Sequence, residues 1–223
     1  MLQKVVEFIS FKIVSPFNWA RLKFLFTGRA YDLTPEDREH ARGLMKICPW
    51  VWVSRRETHL TTYFIGFSDF ALMSFVWIKS GFKGPRPKFG FYSHAFINLD
   101  ENEIVEAVAK GVQKHLFDDV FDCDAIAALR PRALTNAEWI ALGPQIREGL
   151  SEQIGKKYDA LFDISDDSRV SCIECVRVVL KKEVPLYDLK FKNFEAMISN
   201  YKNVTPQMLI DSGDFEIVWE VKK

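Results

Sequence analysis

The stretch 91-FYSHAFINLDENEIVEAV-108 indicates two short strands that are joined by a polar turn. The Asp-Glu-Asn sequence at 100–102 favours a turn, and the flanking residues are rich in β-branched and aromatic types. A turn centred on residue 100 would set His94 directly opposite Glu106. A turn centred one residue later would leave the two on a diagonal, roughly 7–8 Å apart at the backbone and within side-chain reach.

Glu106 interrupts an apolar strand face. Because side chains alternate along a strand, Glu106 shares its face with Ile104 and Val108. A lone carboxylate on such a face is costly unless it is paired, and the imidazole of His94 is a suitable partner. The alternative is that Glu106 lies on an exposed edge strand while His94 packs among aromatic neighbours, and the spacing leaves both interpretations open.

Several other segments have clear local preferences. They are a helix over 33–46 that begins at Thr34-Pro35 with Asp37, an extended segment over 50–67 and a buried helix over 66–81. A further helical region begins at a Thr135–Glu138 capping box, is broken at Gly143-Pro144 and ends at Gly155. A strand is predicted over 214–223. Strands and helices are mixed without a regular βαβ alternation. The sequence therefore predicts an α+β fold.

The N-terminal residues 1–29 differ from the rest of the chain. They carry five basic residues and one acidic residue, a net charge of +4, and they are rich in apolar and aromatic types. Two interpretations are open: an amphipathic anchor for a membrane surface or a protein assembly, and a helical hairpin, broken at Pro16, that packs on the main domain. We expect residues 1–45 to form a helical N-terminal extension.

Composition excludes several classes of function. Thirty basic and thirty acidic residues cancel, so no global field favours nucleic acid. Four cysteines in 223 residues are too few for a disulfide framework and suit a reducing compartment. The N-terminus lacks a secretory pattern and no apolar run is long enough for a transmembrane helix, so we expect a soluble, cytoplasmic or virion-associated protein.

Two cysteines lie at the predicted start of a helix, in 166-DDSRVSCIECVRVVL-180. Ser171 and Glu174 form a capping box, which places Cys172 at the first helical position, where the helix dipole favours a thiolate. Cys175 falls one turn later, on the stripe expected to pack. The alternatives are that Cys172 is also a small core residue, a zinc ligand or half of a redox pair. Zinc would need a second ligand pair, which the sequence lacks, and a redox pair would need a βαβ context.

A thiolate nucleophile needs a nearby base, and His94 is the best placed of the four histidines. We expect His40 on a solvated helix face. His59 and His115 have no carboxylate at a recognisable spacing. His94, with Glu106 as its partner, is therefore the candidate base.

Two stretches, 93-SHAFINLDENEIVEAVAKGV-112 and 155-GKKYDALFDISDDSRVSCIECV-176, together resemble the circularly permuted branch of the NlpC-type, papain-like cysteine hydrolases. The lecithin–retinol acyltransferase-like proteins belong to the same group. In that branch a histidine on a strand comes first, a polar residue on the next strand follows, and the nucleophilic cysteine comes last, at a helix start after a Gly-x-x-Tyr-Asp element. The histidine, the polar residue and the cysteine of that pattern match His94, Glu106 and Cys172 here. The Gly-x-x-Tyr-Asp element matches Gly155, Tyr158 and Asp159.

The resemblance spans about residues 66–180, roughly half the chain, and it has departures. Lys157 stands where the family usually has proline, Ile173 where it often has serine, and Cys175 where it usually has leucine. These differences concern packing more than chemistry. Residues 1–45 and 181–223 match nothing in the family.

The resemblance implies a permuted papain-like catalytic domain over 46–223, with a small antiparallel sheet packed against helices. His94 would be the general base, Glu106 would orient its ring, and the Cys172 N–H, with Tyr158 as a second donor, would stabilise the oxyanion. Acyl transfer would pass through a thioester at Cys172, without a metal or an organic cofactor.

Three functions follow as expectations. The first is an amidase or peptidase that acts on cell-wall-type (peptidoglycan) peptides. The second is a lipid acyl hydrolase or acyltransferase that docks at a lipid surface through residues 1–29. The third is a structural or interaction protein of a larger assembly, such as a phage particle, that retains the fold.

Overall fold

A computed structural model of the chain describes residues 33–56, 90–159, 168–201 and 204–222, together with Ile164 and scattered positions between 63 and 82. The predictions on residues 1–29 lie outside the described residues. The part of the extended segment after residue 56 lies largely outside them. The described positions between 70 and 79 are helical, as predicted, but Phe75 and Ile78 are exposed. The expectation that this helix is buried is therefore wrong for these two side chains.

The strands within the described residues are β1 (Val51–Arg55), β2 (His94–Asn98), β3 (Glu103–Val108), β4 (Gly111–Leu116), β5 (Ala125–Pro131), β6 (Lys157–Tyr158), β7 (Arg169–Val170) and β8 (Phe215–Lys222). Six of them form one antiparallel sheet in the order β4-β3-β2-β1-β5-β8, and β6 and β7 form a short parallel pair. The strands predicted at 91–108 and 214–223 are confirmed, and β1 confirms the start of the segment predicted to be extended.

The helices of the described residues are α1 (Pro35–Met45), α2 (Phe117–Val120), α3 (Asn136–Ala141), α4 (Gly143–Gln153), α5 (Cys172–Glu183), α6 (Tyr187–Lys190), α7 (Lys192–Tyr201) and α8 (Pro206–Asp211). Each of the three predicted capping boxes is present, with reciprocal hydrogen bonds between the cap and the third helical residue. The predicted break before Gly143 is also confirmed, and Gly155, with φ +89°, follows the end of α4.

The register of the β2–β3 hairpin decides whether His94 lies directly opposite Glu106 or on a diagonal from it. Ile97 pairs with Val105 and Asn98 with Ile104, so the turn is centred on residue 101. The Asp100 carboxylate accepts the backbone N–H groups of the two residues that follow Glu101, at 2.8 Å each. His94 and Glu106 therefore lie on a diagonal, the second of the two registers expected.

The core covers both faces of the central strands, because all five residues of β1 are buried and side chains alternate between the two faces of a sheet. Helix α5 packs on β2 and β3, so the cysteine-bearing helix faces the strands that carry His94 and Glu106. Ala41 and Met45 of α1 are fully buried in the same core. The predicted α+β class, with a small antiparallel sheet and helices, is confirmed, whereas the permuted papain-like arrangement and the division of the chain at residue 45 stay predictions. Among the described residues no helix combines the length and the apolar character needed to cross a membrane.

Candidate active site

Helix α5 begins at Cys172, as the capping box predicts. Ser171 has extended backbone angles, its N–H donates to the Glu174 carboxylate (2.7 Å), and its hydroxyl accepts the Glu174 N–H (3.4 Å). The first N–H groups of a helix have no acceptor within the helix. The Cys172 N–H therefore belongs to a set of backbone donors at the positive end of α5.

The two cysteines of this helix have different surroundings. Both are only 2% exposed, but Cys175 belongs to the main hydrophobic cluster together with Val176 and Val179, and Cys172 does not. Burial raises the pKa of Cys175 to about 12, so its thiol stays protonated near neutral pH. The prediction that Cys175 packs into the core is confirmed.

His94 and Glu106 form a direct pair. The His94 Nε2 and Glu106 Oε2 atoms share a short hydrogen bond across the β2–β3 diagonal. The Glu106 side chain is 7% exposed and lies on β3, which is flanked by β2 and β4, so the alternative of an exposed edge strand is wrong. Burial favours the neutral acid, but the charge and hydrogen bond of His94 outweigh it and hold the pKa of Glu106 below its usual value.

The His94 ring also meets Cys172. Burial opposes protonation of the ring, but the Glu106 carboxylate and a side-chain hydrogen bond with Cys172 outweigh it, and the pKa of His94 rises to about 10. One imidazole thus joins a carboxylate and a thiol that lie 66 positions apart in the chain. The structure brings together the three residues that the sequence singled out.

Tyr158 lies beside the start of α5. It pairs with Val170 in the β6–β7 ladder, and Ser171 follows Val170 directly. Burial, followed by the charge of Cys172, raises the pKa of the Tyr158 phenol well above its ordinary value. The hydroxyl therefore stays protonated and keeps its ability to donate; its role as an oxyanion donor stays a prediction.

Backbone contacts with β4 hold the Gly155–Tyr158 element in place. The Val112 N–H donates to the Lys156 carbonyl, and the Gly155 N–H donates to the Val112 carbonyl, both at 2.9 Å. The element therefore runs along the start of β4 before it reaches Tyr158. This arrangement fixes the route of the chain towards the helix that carries the cysteine.

The expectation that His115 has no carboxylate partner is wrong. Its Nδ1 atom lies 3.1 Å from Glu106 Oε1, on the oxygen that His94 does not use. The signal is the short turn before Gly111, which sets Glu106 opposite Gln113 and leaves His115 one diagonal step along β4. The spacing of the two residues in the sequence does not show this contact, because it depends on the pairing of β3 with β4.

The other two histidines lie apart from this cluster or outside the described residues. His40 stacks on the Trp219 ring with a centroid separation of 5.3 Å. His59 lies outside the described residues. In the described part of the chain, no group of three or more His, Cys, Asp and Glu side chains has an arrangement that could hold a metal ion.

Comparisons of the chain with protein-family profiles, with curated proteins and with solved structures find no match.

Proposed function

We propose that the protein is a cysteine hydrolase that acts by acyl transfer through a thioester at Cys172, as an amidase or peptidase on cell-wall-type peptides. The observation that carries the proposal is the position of the His94 ring, which is hydrogen-bonded to the Glu106 carboxylate and lies near enough to the Cys172 side chain to interact with it. A thiol, a base and a group that orients the base are the parts required of an activated cysteine nucleophile.

The first half of the reaction uses the pair of Cys172 and His94. His94 takes the thiol proton, and the sulfur attacks the substrate carbonyl to form a C–S bond. The oxygen then carries a negative charge that the Cys172 N–H, with Tyr158 as the second donor, is placed to stabilise. Collapse of this intermediate breaks the C–N bond, and the leaving amine takes the proton from His94.

The second half regenerates the enzyme. A water molecule gives one proton to His94 while its oxygen attacks the thioester carbonyl. Cleavage of the C–S bond releases the carboxylic acid and restores the pair of thiolate and imidazolium. No metal or organic cofactor enters either half.

Glu106 supports both halves. Its carboxylate fixes the orientation of the ring through Nε2, which leaves Nδ1 as the nitrogen for the sulfur. It also raises the pKa of His94, although burial of the ring opposes this, and the value of about 10 favours the imidazolium at neutral pH. The choice of cell-wall peptides rests on the resemblance of 93–112 and 155–176 to the permuted hydrolases.

The test is mass spectrometry of acid-quenched protein after incubation with mixed cell-wall peptides and, separately, with phospholipids. We expect an acyl adduct on Cys172 with the peptides. The adduct should be absent from Cys172→Ala, reduced roughly 10²-fold or more in His94→Gln, and retained in Cys175→Ala, the matched control on the same helix.

The other outcomes separate the remaining functions. An adduct from phospholipids alone would move the substrate class to lipid acyl chains. If neither substrate acylates Cys172, acyl transfer is contradicted, and an interaction or structural function for the fold becomes the better explanation.

A further inference from the structure

Glu106 contacts two histidines, one on each carboxylate oxygen. We infer that His115 is a positioning residue for the proposed reaction: its Nδ1 pairs with Glu106 Oε1 and keeps that carboxylate ionised and directed at His94. The inference rests on the proposed function, since His115 acts on the cysteine only through Glu106 and His94.

The Glu106 carboxylate is buried. With 7% of its side chain exposed, Glu106 has little access to water, so each of its oxygens needs a donor from the protein. His94 serves Oε2, and His115 lies 3.1 Å from Oε1. Without His115 the Oε1 atom would lose this ion-pair partner, and the carboxyl group would be easier to protonate and to rotate away from His94.

The position of His115 on β4 directs its side chain towards Glu106. Glu106 pairs with Gln113 across the β3–β4 ladder, and His115 is the next residue on the same face of β4. The His115 side chain is 31% exposed, and its Nε2 lies 3.3 Å from the Gln113 side-chain oxygen. Its inner nitrogen thus faces the buried carboxylate, while its outer nitrogen faces Gln113 at the rim of the site.

Charged and titratable groups from several strands surround Glu106. The groups that face it are His94 from β2, His115 from β4, Arg56 just beyond β1 and Tyr158 from β6. Burial raises the pKa of Glu106, and His94, His115 and Arg56 lower it. Removal of His115 should therefore raise that pKa, and a neutral Glu106 no longer supports the imidazolium of His94.

The experiment measures the rate at which iodoacetamide alkylates Cys172 between pH 4.5 and pH 9, with peptide mapping to separate it from the other cysteines. Iodoacetamide is small enough for a thiol with little exposed surface, and it requires no knowledge of the substrate. We expect His115→Leu to move the acid limb of the profile to higher pH. A one-unit move corresponds to about tenfold slower labelling at pH 5.5, with the rate at pH 9 unchanged within about twofold.

Two further variants test whether the change in the profile is due to the loss of the His115 Nδ1 contact. His115→Asn places an amide donor near the position of Nδ1 and should recover most of the wild-type profile. Lys114→Ala, whose side chain lies on the opposite face of β4, is the matched control and should leave the profile unchanged. If His115→Leu does not fold, as judged by circular dichroism, His115→Gln replaces it, because its amide lies further out and cannot reproduce the Nδ1 contact.

The variant His94→Gln distinguishes a failure of the His115 role from a failure of the proposed function. If His94→Gln slows labelling but His115→Leu follows the wild-type profile, the role of His115 is overturned and the proposed function stands. If Cys172 reacts no faster than Cys175, or if its rate is unaffected in His94→Gln, the proposed function fails, and the role of His115 fails with it.

Discussion

Asn98 is a fully buried polar side chain at the end of β2, and it ties three parts of the chain together. Its Oδ1 accepts the Trp50 N–H at 2.6 Å and the Trp52 indole N–H at 2.9 Å. Its amide nitrogen donates to the carbonyls of Cys48 at 3.2 Å and Met45 at 3.4 Å. The side chain thus joins the end of α1 to the strand pair that carries His94.

Replacement of Asn98 by Leu should lower the free energy of unfolding by about 2–4 kcal/mol. The new side chain fills the volume but leaves buried N–H and carbonyl groups without partners, each at a cost of about 1–3 kcal/mol that relaxation partly recovers. Urea denaturation measures the change. Asn136→Ala, at an exposed position, is the control and should stay within about 0.5 kcal/mol of wild type; an equally small change for Asn98→Leu would show that the network carries little stability.

The β3–β4 turn is the element on which the site depends most. Gly111 has φ +107°, a conformation that residues with a Cβ rarely adopt. A Cβ at this position would lie 2.5 Å from the Lys156 carbonyl oxygen. The same carbonyl accepts the Val112 N–H, so a side chain at 111 would push away the segment that leads to Tyr158.

Gly111→Ala should therefore destabilise the protein, by about 1–3 kcal/mol from backbone strain and by more if the 155–158 segment cannot move. The control is Gly43→Ala, within α1, where nothing lies within 4 Å of the added Cβ. An alanine there should stabilise the helix by up to about 1 kcal/mol. Thermal or urea denaturation of the two variants should give opposite signs; a shared sign would contradict the account of the turn.

Across the whole molecule, the pairing of α5 with β2 and β3 makes stability depend on pH. The pKa of an unfolded histidine is about 6.5, and in the fold that of His94 rises to about 10, because Glu106 and Cys172 outweigh the opposing effect of burial. A group whose pKa is raised on folding contributes stability that is fully present below the unfolded value. That stability is lost as the pH rises through the folded value.

We therefore expect the free energy of unfolding to fall between about pH 6.5 and about pH 10, and to fall less in His94→Gln than in the wild type. Urea denaturation at pH 6 and pH 9 measures both differences, and the buried thiols of Cys48, Cys123 and Cys175 affect both proteins alike. His40→Gln is the control, because His40 stacks on Trp219 away from the site, and it should keep the wild-type difference. Equal differences in the wild type and His94→Gln would contradict the linkage.

Much of this protein follows from short stretches of its sequence. Contacts between residues close in the chain determine some features, and residue types alone therefore predict them. These features are the three capping boxes, the helix break at Gly143, the hairpin at 91–108 and the α+β class. Local patterns, together with the resemblance to the permuted hydrolases, also indicate Cys172, His94 and Glu106 as site residues. The sequence allows two registers of the hairpin, since both keep the same side chains within reach.

The rest depends on strand pairings and packing between distant segments. His115 became part of the site only through the β3–β4 register, and Glu106 proved buried because β4 covers the edge of β3. The contact of His94 with Cys172 requires α5 to pack on β2 and β3, from which it is separated by more than 60 residues. Such contacts form because the apolar faces of the sheet and of α5 exclude water together, and no short stretch of sequence records which two faces meet.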